Sequence, residues 1–133
     1  MSLLQISDAH FGTEVPQVVD ALTALAAELA PSLVVMSGDV TQRATEAQFD
    51  LAAQFLRQLP ASALLVVPGN HDIPLVNLAL RAFAPFSRFN RAFGDELEPV
   101  HEDARMLVIG CMIPGSTARA LRTGPTFSES LQW

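Results

Sequence analysis

Leu64-Leu65-Val66-Val67-Pro68-Gly69-Asn70-His71-Asp72 is the stretch on which the fold turns. Leu64 to Val67 form a short apolar run of the kind found in strands covered on both faces, and Pro68-Gly69 ends it abruptly. An amide, an imidazole and a carboxylate follow. In α/β sheets ligands bind just past the carboxyl ends of the strands, so a polar cluster at this position is a candidate site. Two earlier stretches repeat the pattern: Leu3 to Ile6 runs into Asp8-Ala9-His10, and Leu33 to Met36 runs into Gly38-Asp39.

The segments between these runs have helical spacing. Val15, Val18, Val19, Leu22, Leu25, Ala26 and Leu29 predict a crossover helix with a broad apolar stripe, ended by Pro31. In the second connection Thr45 is the expected cap and Gln48 the residue that reaches back to it in a capping box. Ala52, Phe55, Leu56 and Leu59 supply its buried stripe, and Pro60 closes it. Two successive strand-helix-strand units imply right-handed crossovers and parallel strands, so all the polar loops should meet at one edge of the sheet.

Two shorter helices are expected over 75–83 and 86–93, separated by Pro85 and ended by Gly94, then a strand from Met106 to Ile109. Phe83, Phe86, Phe89 and Phe93 recur at helical spacing and read as packing residues, and His101 reads as an exposed turn histidine. Residues 126–133 resemble a helix start, with Ser128 as its cap. The fold class is α/β, with a mainly parallel sheet flanked by helices.

The 133 residues suit one domain over 1–133. Half are hydrophobic and the mean hydropathy is +0.30, which implies helices on both sheet faces or a surface awaiting a partner. A net charge of −6 without clustered Lys and Arg excludes a broad duplex nucleic-acid footprint. Cys111 has no possible internal disulfide partner and lies in an apolar run, so a buried, inert thiol in a reducing compartment is expected. No basic leader precedes an apolar stretch, and no segment approaches the ~20 apolar residues of a membrane span, so the expectation is a soluble, cytoplasmic protein.

Taken singly, Asp-x-His or Gly-Asp is a common turn. Their conjunction after successive predicted strands, each pair joined by a crossover helix, points instead to convergent donors. The carboxylates, imidazoles and amide oxygen of Asp8-Ala9-His10, Gly38-Asp39 and Gly69-Asn70-His71-Asp72 offer the mixed oxygen and nitrogen set that suits Mn, Fe, Zn or Ni, and the lack of thiolates argues against a structural zinc site.

The order Asp-x-His, Gly-Asp, Gly-Asn-His-Asp resembles the calcineurin-like metallophosphoesterase superfamily. Residues Ile6 to Gly12 and Val67 to Asp72 look like its strand-loop phrases. Gly38-Asp39-Val40-Thr41 followed by Ala47-Gln48-Phe49 is most similar to the cyclic-nucleotide-phosphodiesterase-like branch. The resemblance implies the first half of a four-layer αββα sandwich and hydrolysis of a phosphoester by a water activated between two divalent metal ions. It implies that Asp8 and His10 hold one metal, that Asp39 bridges both, and that Asn70 binds the second. His71 would stand beside the phosphate as a catalytic group, with Asp72 orienting its imidazole. Arg43 lies where the protein Ser/Thr phosphatase branch has a phosphate-contacting arginine, although Gln42 and Ala44 depart from that branch, and a solvated arginine at a helix entry is an equal reading.

The family's later histidine motifs have no counterpart, since the chain has three histidines and none after His101. The expectation is a C-terminally truncated domain. Two classes of function stay open: an enzyme acting on a small phosphoester or nucleotide, either as one piece completed by a C-terminal segment or as a fragment holding a metal pair weakly with water in the remaining positions, or an inactive remnant that serves as an interaction module. Self-association is expected in addition, because half a sandwich leaves apolar sheet surface uncovered.

Overall fold

A computed structural model describes residues 2–112, so the expected helix start at 126–133 and its Ser128 cap lie outside the described residues. The elements are β1 (Leu3–Ser7), α1 (Pro16–Leu29), β2 (Leu33–Ser37), α2 (Glu46–Gln58) and β3 (Ala63–Val66). A single 3-10 turn (Asn70–Asp72) follows, then α3 (Leu78–Phe83), α4 (Ser87–Phe93), β4 (Val100–Glu102) and β5 (Leu107–Ile109). The first three strands form a parallel sheet in the order β1-β2-β3. Ser7 pairs with Ser37 and Met36 with Val66, so the strand ends lie level and their loops share one edge, as the crossover pattern requires.

The central strand explains the core. Leu33, Val34, Val35 and Met36 are all buried, and their alternation divides them between the two faces of the sheet. Val34 and Met36 pack with Ile6, Ala26, Phe49 and Phe55 on the helical face. Leu33 and Val35 join Leu65 on the other face, where Met106 and Val108 cover them. The helices therefore lie on one face and an antiparallel hairpin, β4-β5, takes the other. Of the two expectations raised by the apolar composition, helices on both sheet faces is not met among the described residues, while the parallel sheet flanked by helices is as expected.

α2 matches its pattern: Thr45 Oγ1 accepts from the Gln48 amide at 3.3 Å, and Phe49, Ala52, Phe55 and Leu56 are buried. Gln48 does not complete the capping box, because its Oε1 accepts instead from the Arg43 amide at 2.8 Å. The stripe of α1 is narrower than expected. Ala26 is buried and Val19 and Leu22 pack against the core, but Val15, Val18, Leu25 and Leu29 are exposed.

α3 begins later than its apolar pattern suggested, at Leu78, because the Asn77 side chain accepts from the Leu80 amide at 3.0 Å and fixes the start there. Phe89 is fully buried edge-on to Phe49, and Phe93 stacks near both. Phe83 departs from the packing expectation: it is 89% exposed at the end of a helix with no buried residue. His101 belongs to strand β4, half-buried, with Nε2 3.4 Å from Asp103 Oδ2. The Asp103 carboxylate closes the hairpin by accepting from the Arg105 and Met106 amides, and the Arg105 bond does most to hold its pKa below the usual carboxylate range. Cys111 is exposed, against the expectation of a buried thiol, because β5 ends at Ile109 and the apolar run does not continue as strand.

Candidate metal centre

The ladder between β1 and β2 does not stop at the strand ends. The amides of Asp8, His10 and Phe11 donate to the carbonyls of Ser37, Asp39 and Val40 at 3.0, 3.0 and 2.9 Å, and the Gln42 amide returns a bond to Phe11 at 3.0 Å. The first two polar loops are thus a paired ribbon continuing the sheet. Within it Asp8 and His10 take left-handed backbones, with φ of 52° and 46°. Side chains with a Cβ visit that region rarely, and such residues concentrate at functional sites.

The third loop is fastened across the other two. The Val67 amide donates to Met36 at 2.9 Å, and the His71 amide donates to Asp39 Oδ1 at 2.9 Å. Asp72 is fully buried, and its carboxylate accepts from the amides of Val40, Thr41 and Gly69 at 3.0, 2.8 and 2.9 Å and from the Thr41 hydroxyl at 2.7 Å. Burial pushes the Asp72 carboxyl above its ordinary value, against the pull of these bonds.

Two glycines are required by the carboxylates beside them. A Cβ at Gly38 would stand 2.7 Å from Asp8 Oδ1, and one at Gly69 would stand 2.1 Å from Asp39 Oδ1. The strand-end glycines therefore make room for the candidate ligands, beyond letting the chain turn.

The structure gathers His10, Asp39 and His71: each offers a donor atom, and these lie within 4.8 Å of one another. His10 Nε2 is 3.8 Å from Asp39 Oδ2, too far for a hydrogen bond, and His10 Nδ1 is buried without a partner. The imidazoles of His10 and His71 meet edge to face with centroids 5.0 Å apart. Donors about 2.1 Å from a shared cation stand roughly 3 to 4 Å from each other, so a small inward rotation would close this set on an ion. Asp8 joins from the side, its Oδ1 accepting from the Asp39 amide at 3.4 Å and its Oδ2 from the Ser7 hydroxyl. The Ser7 bond is the larger cause that holds the Asp8 carboxyl below the usual carboxylate range, so the group stays ionised.

This site stands on a sequence that a family model recognises: the model of the calcineurin-like phosphoesterases matches residues 1–116. The chain belongs to that family. No curated protein matches it. The calcineurin-like phosphoesterases are hydrolases of phosphoesters, and the α/β fold with its parallel sheet is the N-terminal half of their architecture.

Within this calcineurin-like phosphoesterase, the residues expected from the sequence divide three ways. His10, Asp39 and His71 converge, and Asp8 lies outside that group, exposed and linked to it by the bond from the Asp39 amide. Asn70 opens the 3-10 turn beside them and is exposed. Arg43 is exposed two residues beyond Thr41, with its amide held by Gln48. The expectation that Asp72 orients the His71 ring is corrected, because its oxygens are taken by Val40, Thr41 and Gly69, and His71 Nδ1 lies 3.0 Å from the Gln42 carbonyl. Since a carbonyl only accepts, Nδ1 carries the hydrogen and Nε2 is left as the free nitrogen.

The sequence reading missed the roles of Ser7, Gln42 and Gln48. Gln48 had a signal, three residues after a cap, but it pointed to a different partner; its amide lies against Gly12, where a Cβ would stand 2.1 Å from Nε2. Gln42 acts through its backbone, which no residue pattern reveals.

Proposed function

We propose that the protein hydrolyses a small phosphoester or nucleotide with divalent metal ions held by Asp8, His10, Asp39 and Asn70. The convergence of His10, Asp39 and His71 donors within 4.8 Å is the observation that carries this reading: two of the three are proposed ligands, and the third, His71, is kept for the phosphate beside the metals. Asp8 is added through its bond to the Asp39 amide, and Asn70 because it opens the turn that carries His71. When bound, such cations would polarise the phosphoryl oxygens and lower the pKa of a water.

The remaining roles belong to the chain. Asp8, ionised through its bond to Ser7, and Asp39 bring negative charge to the level strand ends. Asp39 Oδ1 is fixed by the His71 amide, which leaves Oδ2 facing His10. His71, with its Nδ1 hydrogen committed to the Gln42 carbonyl, leaves Nε2 free. Nε2 first takes up a proton from solvent and, as the Nε2–H of the doubly protonated ring, would pass it to the leaving oxygen while the Gln42 bond stays in place. Arg43, exposed two residues beyond Thr41, would meet a phosphoryl oxygen of the substrate. The Gly38-Asp39-Val40-Thr41 phrase favours a cyclic or linear nucleotide phosphodiester as the first substrate to try, and manganese as the first metal.

The test is turnover of bis(p-nitrophenyl) phosphate and of 3′,5′-cyclic nucleotides by the full chain with added Mn, next to the thermal midpoint with and without the metal. The parent should turn over substrate and gain several degrees on Mn addition. Asp39→Asn should lower turnover at least about 100-fold and lose the thermal gain. Equal turnover and equal Mn response in Asp39→Asn and parent would remove the case for a metal centre at these loops.

A further inference from the structure

Arg88 lies on α4, which carries none of the residues assigned above to the site. Its Nη1 nevertheless donates to the Ala44 carbonyl at 2.8 Å, across a sequence separation of 44 residues. Ala44 is fully buried and left-handed, with φ of 50°. A residue with a Cβ keeps that conformation only where its surroundings over-determine it. Here the turn is pinned on both sides: the Ala44 amide donates to Thr41 Oγ1 at 3.0 Å, while its carbonyl receives Arg88. The same Thr41 hydroxyl donates to Asp72 Oδ1 at 2.7 Å, so the chain of bonds runs from α4 through the turn into the buried carboxylate that ties the loops together.

Gln42 lies between the two pins, and its carbonyl faces the Nδ1 hydrogen of His71 at 3.0 Å. Holding that carbonyl in place decides which nitrogen of His71 carries the proton in the neutral ring. We propose that Arg88 is a positioning residue for His71, acting through the Ala44 carbonyl to keep the 42–44 turn, and with it the Gln42 carbonyl, where it fixes the imidazole tautomer. This rests on the reading of His71 as the group that serves the leaving oxygen. Arginine suits the task, since its rigid, permanently charged fork holds a carbonyl with less loss of freedom than a lysine would. The arm is itself anchored, because Phe89 beside it is fully buried and packs edge-on to Phe49 of α2.

Arg91 provides a control on the same helix. It pairs with Glu46 Oε2 at 3.0 Å at the α2-α4 seam, with both side chains more than half exposed, and no bond from it reaches the 42–44 turn. The experiment compares the full-length parent, Arg88→Ala, Arg88→Met and Arg91→Ala by 15N-resolved NMR of the His71 ring, read where raising the pH further no longer changes its two nitrogen shifts. Turnover is measured on the same samples with Mn.

The parent should show mainly the Nδ1-protonated tautomer. Arg88→Ala should move the tautomer ratio of the neutral ring about tenfold toward Nε2-H, the sign that the Gln42 acceptor has moved, and the loss of that anchor for the ring should lower kcat about tenfold with little change in KM. Arg91→Ala should match the parent in both. Arg88→Met keeps the long stem without the donor, and should behave as Arg88→Ala even if the alanine variant fails to fold. A parent-like tautomer ratio in Arg88→Met, or an equal shift in Arg91→Ala, would overturn the proposal. A tautomer shift in a chain whose parent shows no turnover would uphold the Arg88 link and count against the hydrolase reading instead.

Discussion

At the scale of single residues, the site is built as much by missing side chains as by present ones. Gly69 has an ordinary extended backbone, yet a Cβ there would stand 2.1 Å from Asp39 Oδ1 and 2.7 Å from the Asp39 amide. Gly94 is the opposite case, with φ of 96° and nothing within 4 Å of a built Cβ. The two glycines therefore fail for different reasons when replaced. Gly69→Ala should push the Asp39 carboxylate aside and weaken Mn binding about 10- to 100-fold, at a stability cost of about 1–3 kcal/mol for overpacking. Gly94→Ala should cost about 1–2 kcal/mol through its backbone alone and leave Mn affinity unchanged. Calorimetric titration of both variants with Mn separates these effects. Parental affinity in Gly69→Ala would mean that Asp39 is not where the metal goes.

At the scale of elements, helix ends carry information that apolar spacing does not. α1 ends at Ala30, left-handed with φ of 42°, its amide donating to the Ala26 carbonyl, and Pro31 follows. Glycine is the usual residue there, because a Cβ costs about 1–2 kcal/mol in that region. Ala30→Gly removes the clash at some entropic cost in the unfolded chain, and should raise stability by about 0.5–1 kcal/mol in urea titration. A lower midpoint would show that the Ala30 methyl contributes packing that outweighs the strain. The same contrast between spacing and local detail governs what could be read in advance. β1, β2 and β3 were legible because each is a compact apolar run ended by glycine or polar residues, and their parallel order followed from the helices between them. The meeting of His10, Asp39 and His71 followed from that order, since level parallel strands bring their loops together. β4 was not legible, because Val100–Glu102 has a single apolar residue and owes its pairing to Asp103, whose carboxylate folds the turn that returns β5. Asp72 was legible as a site residue but not as a strut, because its partners are backbone amides.

At the scale of the whole molecule, burial and charge pull in different directions. Leu75, Val76, Leu78 and Phe83 are 49, 94, 73 and 89% exposed, all within one segment that follows the third polar loop. Large apolar side chains concentrated on one part of a surface favour association, since joining two copies removes them from water. The net charge of −6 opposes this by mutual repulsion between copies. Salt decides between the two, because it screens the repulsion, with a Debye length of about 10 Å at 0.1 M, and leaves the apolar attraction in place. The full chain should therefore sediment as a concentration-dependent mixture of monomer and larger species, with the larger share growing as salt rises. Val76→Ser with Phe83→Ser should weaken association at least about tenfold, since each change exposes less apolar area to be recovered on contact. Their effect on folding should be small, because neither side chain is buried. Association that weakens as salt rises would assign it to opposite charges instead, with Arg81, Arg88 and Arg91 the nearest basic residues in the chain to this segment. A monomer at every concentration and salt level would mean that these exposed side chains do not meet across copies.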